Sequence, residues 1–277
     1  MVENSVNTEI KIDELSKEIR ARRPIIHCIT NAVTVNDCAN ILLAAGASPT
    51  MAHHPLEVAE ITEGTAALVC NFGAIADYEA MLAAGCRAHE LKHAIVVDPV
   101  GVSGSTYRRN QCTAYIKAVH PTCIRGNYSE MKALIENCKT VTGVDAASED
   151  QQADGRDALI REMQQYAKCE QMILIASGET DIITDGNTTY LCTNGDLLMA
   201  RITGAGCMSS VMLGAFLSVE ASARSAAACC AYMGIAGELA AKRTHACGGG
   251  TMTFRDQLID AVSLMDDVNS KGNIFVL

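Results

Sequence analysis

The segment Ile202-Thr203-Gly204-Ala205-Gly206-Cys207-Met208 sets two glycines within three residues, directly before a long apolar run. Glycine has no Cβ, so the backbone there can approach a ligand closely. A helix starting at this point directs unpaired N–H groups, carrying about half a positive charge, into the turn. An anion suits such a turn, and a phosphate undergoing transfer is the anion that fits its chemistry. The plainer alternative is a loop closure with no ligand.

Other polar residues follow short apolar runs: Asn31, Asn71, Asp98, Asn127 with Glu130, and Ser177-Gly178-Glu179. Ligands of open parallel sheets bind beyond the carboxyl ends of the strands, so convergence at such ends weighs more than any one motif. Asp98 precedes Pro99, which disfavours helix and holds the carboxylate at a strand tip. Magnesium with a nucleotide asks for one or two carboxylates, often through water. A cap or turn residue is the alternative for Asp98. In Arg125-Gly126-Asn127-x-x-Glu130 a cation precedes a helix start and a carboxylate lies in its first turn. Arg125 suits bidentate pairing with phosphate, or else a surface salt bridge. Glu130 suits metal-linked work or a capping box. Cys207 stands where a base is most useful, and the helix terminus is expected to lower its thiol from about 8.5. Its alternative is one more core cysteine. His27, His53 and His54 lack the H-E-x-x-H spacing of a metal site and read as hydrogen-bonded fillers.

The elements that position these residues follow from periodicity. Asn7 to Arg22 carries Ile10, Ile12, Leu15 and Ile19 at near-helical spacing, and Pro24 ends it. Ile25 to Ile29 reads as a buried strand, and Thr30-Asn31 supplies cap chemistry for a helix from Thr34 to Ala45. Strands are expected at Ala66–Asn71, Ala94–Asp98, Thr122–Ile124 and Met172–Ala176. Helices are expected at Tyr78–Lys92, Thr106–Val119, Ser129–Asn137 and, after a polar link expected to be mobile at Asp145–Asp154, up to Lys168. Asp185-Gly186-Asn187 between Asp181–Thr184 and Thr188–Cys192 is a hairpin signal. Helices at Gly206–Val219, Ser222–Lys242 and Thr251–Met265 fill the last third. This alternation predicts an α/β fold, a parallel sheet covered on both faces. No biased linker interrupts it, so residues 1–277 read as one domain.

Hydrophobic residues make up 49% of the chain, enough for a large core and against global disorder. Aromatics are 4% and Trp is absent, so small and aliphatic side chains must fill the interior. A formal charge of -10 argues against nucleic acid or an anionic membrane as partner. It does not oppose ATP, because local N–H groups and Mg²⁺ overcome a diffuse field. Thirteen cysteines, an odd count without C-x-x-C, fit reduced thiols of the cytoplasm better than disulfides or zinc. Met1 to Arg23 has no apolar signal region, and Ala226 to Gly237 is too short to span a bilayer.

The segments Ile25–Val58 (IIHCITNAVTVNDCANILLAAGASPTMAHHPLEV), Ala67–Gly73 (ALVCNFG), Ile95–Arg108 (IVVDPVGVSGSTYR), Ile124–Met131 (IRGNYSEM), Ser177–Gly186 (SGETDIITDG) and ITGAGCM resemble the 4-methyl-5-(2-hydroxyethyl)thiazole kinases. The resemblance implies the ribokinase-like fold, three layers α/β/α around a mostly parallel sheet. It implies ATP- and Mg²⁺-dependent phosphorylation of the thiazole's hydroxyethyl group, a salvage step toward thiamine. By motif, Arg125 and Ser177 would contact ATP, with Asn127 and Thr203 beside them, while Met51, Gly204 and Asn31 would take the thiazole. Asp98 and Glu130 would work around Mg²⁺. The N–H groups of Gly204, Ala205, Gly206 and Cys207 would hold the γ-phosphate, with Cys207 accepting the alcohol's proton or orienting the hydroxyl. A homotrimer with the thiazole site between subunits is also implied.

The chain departs from that pattern at three places. Ala205 replaces the Thr of G-T-G-C, Ser177 replaces a Thr, and Gly248-Gly249-Gly250-Thr251 lacks the Pro of G-P-G-[ST]. The hydroxyl absent at Ala205 is worth about 0.5–1.5 kcal/mol of phosphate contact. Competing readings are a kinase of a different alcohol, a silent metabolite-binding protein, and a cysteine-nucleophile hydrolase.

Overall fold

Short apolar runs separated by helical stretches fold into one ten-stranded sheet in the computed structural model, which describes residues 6–135, 153–265 and 272–277. The first half runs β1 (Val6–Asn7), α1 (Ile12–Arg22), β2 (Ile25–Ile29), α2 (Val35–Ala44), β3 (Ser48–Thr50), α3 (Val58–Glu63), β4 (Ala67–Asn71), α4 (Tyr78–Glu90), β5 (Ala94–Asp98), α5 (Thr106–Val119), β6 (Cys123–Asn127) and α6 (Tyr128–Ile135). There follow α7 (Ala153–Glu170), β7 (Ile173–Ser177), β8 (Asp181–Thr184), β9 (Thr189–Cys192), α8 (Ala205–Val219), α9 (Ala223–Ala246), α10 (Thr251–Ser263) and β10 (Ile274–Val276). Glu136–Asn137 of one expected helix, and most of the expected link at Asp145–Asp154, lie outside the described residues.

The strand order is β1-β10-β9-β8-β7-β6-β5-β4-β2-β3. Pairs from β3 through β7 are parallel, as expected. The remaining pairs, from β7 to β1, are antiparallel, which gives the mostly parallel sheet that was expected. The reversal begins at the turn between Ser177 and Asp181, and the expected hairpin continues it from β8 to β9. There Gly186 takes φ +85° and Asp185 Oδ1 accepts the N–H groups of Asn187 and Thr188 at 2.9 and 2.8 Å. The first helix begins at Ile12 rather than Asn7, because Val6 and Asn7 pair with Val276 and Phe275. The three-residue strand β3 contains Pro49 and sits at the sheet's edge, where a missing N–H is tolerated.

Successive strand residues point to opposite faces. Val69, Val96, Cys123 and Ile175 face one core with α1, α2, α8, α9 and α10. Leu68, Ile95, Ile124 and Leu174 face the other, with α4 to α7. Helix α8 is buried nearly all round, which explains its apolar sequence. A Cβ on Gly214 would lie 2.7 Å from Val69 Cγ2, so glycine lets α8 settle directly onto the sheet. The Arg20 guanidinium on α1 donates to Ala44 O at 3.1 Å and Val262 O at 3.0 Å, closing the ends of α2 and α10 together.

Candidate active site

Parallel strands end on the same edge of a sheet, so β2, β4, β5, β6 and β7 deliver their last residues to one place. Asn71 is in register with Asp98, and Asn127 with Ser177. The start of α8 reaches the same edge. Gly204 takes φ +92°, and its missing Cβ would lie 2.8 Å from Thr34 Cγ2. Only glycine fits there without strain. Helix α8 begins at Ala205, and the turn's N–H groups are therefore those of a helix N-terminus.

The Cys207 sulfur lies among side chains from three elements. Asn71 Nδ2 donates to it at 3.2 Å and Asn31 Nδ2 at 3.4 Å. Asn71 Nδ2 also donates to Asp98 Oδ2 at 2.8 Å, and the Ser210 hydroxyl donates to the same oxygen at 2.8 Å. Burial, then the neighbouring Asp98 carboxylate, push the Cys207 thiol up. This runs against the expectation of a lowered thiol: desolvation and the Asp98 charge outweigh the donors from Thr34, Asn31 and Asn71. Burial also raises Asp98, against Arg125, Ser210 and Asn71, which favour its charged form.

Glu130 forms the capping box anticipated as one of its two roles. Its Oε2 accepts the Asn127 N–H at 3.0 Å, while Asn127 Oδ1 accepts the Glu130 N–H at 2.8 Å. Its Oε1 accepts the Gly101 N–H at 2.8 Å and so ties the loop after β5 to α6. Burial and then Asp98 bring its carboxyl up to about 7. Arg125 is no surface salt bridge. Its Nη1 donates to Gly206 O at 3.1 Å inside the glycine turn, and its charge acts on Asp98 and Asp181.

Ser177 is half-buried at the tip of β7 and donates to Gly126 O at 3.2 Å, whereas Thr203 is exposed at the rim of the turn. Met51 follows β3 and packs partly into the core. His27 anchors that loop: its Nε2 lies 2.8 Å from Ala52 O and its Nδ1 2.9 Å from Thr62 Oγ1. It is a hydrogen-bonded filler, as expected. Ser210 and Asp181 were not anticipated. Ser210 lies three residues beyond Cys207, so helical spacing alone places both on one face. Asp181 accepts the Gly178 N–H at 3.1 Å, and burial against Arg125's opposing charge brings its carboxyl up to about 6.

A family model described as the hydroxyethylthiazole kinase family matches residues 16–267. A hydroxyethylthiazole kinase of Clostridium beijerinckii is 40% identical over 268 residues, 95% of this chain and 96% of the relative. Another, of Clostridium botulinum strain Eklund 17B, is 38% identical over 260 residues, covering 93% and 92%. The solved structure of a hydroxyethylthiazole kinase protein from Pyrococcus horikoshii superposes with a TM-score of 0.82 at 28% identity, over 96% of this chain and 98% of that one. A ribokinase-like superfamily protein from Enterococcus faecalis shares the fold at 10% identity with a TM-score of 0.63, over 95% and 98% of the two chains.

Proposed function

Because the chain belongs to the hydroxyethylthiazole kinase family, we propose that the cluster around Cys207 is where it phosphorylates the thiazole alcohol with ATP for thiamine synthesis. The observation that carries this assignment is the meeting of the α8 N-terminus with Asn71, Asp98 and Cys207 at the strand tips. Phosphoryl transfer needs positioning and charge stabilisation above all. The N–H groups from Gly204 through Ala205 and Gly206 to Cys207 receive the γ-phosphate as charge shifts onto the leaving oxygen. Arg125, Ser177, Asn127 and Thr203 form the nucleotide side. Met51, Gly204 and Asn31 form the thiazole side, and the Cys207 sulfur takes the proton of the attacking hydroxyl or orients it.

The carboxylates suit Mg²⁺. Asp98 and Glu130 are both buried, Asp98 raises Glu130, and a hard cation with oxygen donors relieves that repulsion. Glu130 already accepts two backbone N–H groups, so its part is better made through water. When bound, the ion supplies charge neutralisation on the phosphates.

A homotrimer with sites between subunits is supported by exposed apolar side chains beside the site. Val33, two residues after Asn31, is 77% exposed, and Leu56, five after Met51, is 90% exposed. One sheet through the chain supports a single catalytic domain over residues 1–277. No helix among the described residues is long and apolar enough to cross a membrane. A cytoplasmic location is supported by the small-molecule reaction of the family.

ADP release measured with and without the hydroxyethylthiazole, in Mg²⁺ and in EDTA, tests the reading. Turnover is expected only with both thiazole and metal. ADP release independent of the thiazole refutes it.

A further inference from the structure

We propose that Asn31 and Asn71 are paired positioning residues for phosphoryl transfer, whose side-chain NH₂ groups jointly hold the Cys207 sulfur toward the substrate hydroxyl. This rests on the assignment of the reaction to the cluster.

The orientation of both amides is fixed from behind by the backbone. Thr34 N–H donates to Asn31 Oδ1 at 3.2 Å, joined by the Thr34 hydroxyl at 3.1 Å. Gly73 N–H donates to Asn71 Oδ1 at 2.8 Å. The Gly73 N–H has the Asn71 oxygen as its acceptor, which leaves that NH₂ end facing the sulfur. The Thr34 N–H is shared between Asn31 O and Asn31 Oδ1, each at 3.2 Å, and the Asn31 NH₂ end likewise faces the sulfur. The two amides also brace one another, because Asn31 Nδ2 donates to Asn71 Oδ1 at 3.3 Å. Asn71 is fully buried, and its remaining N–H capacity goes to Asp98. The carboxylate and the sulfur are therefore held by one side chain.

Such an arrangement exceeds what packing asks for. Among the other buried cysteines, the Cys70 sulfur takes a single hydroxyl donor, Tyr115 at 3.2 Å, and Cys28 itself donates to Ile26 O at 3.7 Å, whereas the Cys207 sulfur takes two amide donors. Around Cys207 the charged and titratable groups are Asp98 from β5, Arg125 from β6 and Cys38 from α2. Asp98 opposes negative charge on the sulfur, and the Thr34 hydroxyl together with the two amide donors favours it. In the transfer step the alcohol oxygen attacks the γ-phosphorus and forms the new O–P bond. The O–H bond breaks and its proton joins the sulfur of the minor thiolate population, which has first released its own proton to solvent, forming S–H. The bridging P–O bond breaks and its electron pair leaves on ADP. A sulfur free to rotate away leaves that proton without an acceptor.

The test uses the whole enzyme and the variants Asn31→Leu and Asn71→Leu, which keep side-chain size and remove the donors. Two quantities are measured at one fixed pH. The first is kcat and KM for ATP. The second is the rate at which iodoacetamide labels Cys207 in nucleotide-free protein, read on the Cys207 peptide by mass spectrometry. Each variant is expected to lose at least about tenfold in kcat, within the range general-base catalysis supplies, with KM for ATP unchanged. Cys207 labelling is expected to slow by about tenfold as the sulfur loses its donors. Unchanged or faster labelling in folded variants overturns the proposal, as does a loss expressed only in KM. If Asn71→Leu does not fold, Asn31→Leu decides, since Asn31 is only half-buried and does not touch Asp98. Labelling needs no substrate, so it judges the amide pair even if the wild-type enzyme does not phosphorylate the thiazole.

Discussion

In the proposed reaction Cys207 serves as a poor base: burial and Asp98 raise its thiol, and the Thr34 hydroxyl and the amide donors offset part of that rise. Cys207→Ser leaves a hydroxyl far less able to accept a proton at neutral pH. We expect kcat to fall by about 10²–10⁴ while ADP still shifts the melting temperature, which steady-state kinetics and thermal melts check together. A serine enzyme as fast as wild type would leave the sulfur without a role. Asp181 gives a stability signature instead. Its carboxyl is near 3.8 unfolded and about 6 folded, so the native state binds the proton more tightly. That contribution is full below 3.8 and is lost as pH rises through 6. Melting curves should therefore show wild type gaining on Asp181→Asn as the medium is acidified across this window. Cys207, Asp98 and Arg125 were legible in the sequence because each stands beside a glycine or proline that marks a turn. The hydrogen bonds of Asn71 to Cys207 and Asp98 were not, because they join residues 136 and 27 positions apart.

The glycine turn is where element geometry limits catalysis. Gly204→Ala forces a side chain into φ +92° and against Thr34, a strain of about 1–3 kcal/mol. The turn can relax only by withdrawing its N–H groups. Thermal melts should show a modest loss of stability, and kinetics a larger fall in kcat. The long strands and helices were readable because four to eight apolar residues, or a stripe at helical spacing, fix their type. Helix α3 has six residues and β3 three, too short for either periodicity to register. Strand β6 was expected to stop at Ile124 but continues to Asn127. Its last residues, Arg125, Gly126 and Asn127, lack the apolar run by which the strand was read.

At the scale of the molecule, the parallel half of the sheet carries the proposed site, and the antiparallel half extends the sheet beyond it. If the thiazole pocket is completed by a neighbouring subunit, the exposed apolar loops are its contact. Val33→Glu and Leu56→Glu are then expected to lower the solution mass from three copies toward one in light scattering. KM for the thiazole should rise, with ADP binding kept. Either variant remaining trimeric with normal KM removes those loops from the interface. The far edge has another consequence. Among the described residues, Val6 and Asn7 join the sheet only through Phe275 and Val276, which also cover β9. During translation Val6–Asn7 must wait for Phe275–Val276 before it can dock. Until then the rim at Thr189–Cys192 stays bare, its amides and carbonyls open to another nascent chain. Inclusion-body formation at high expression should originate at that rim, and slower synthesis or a chaperone that shields it should relieve the problem.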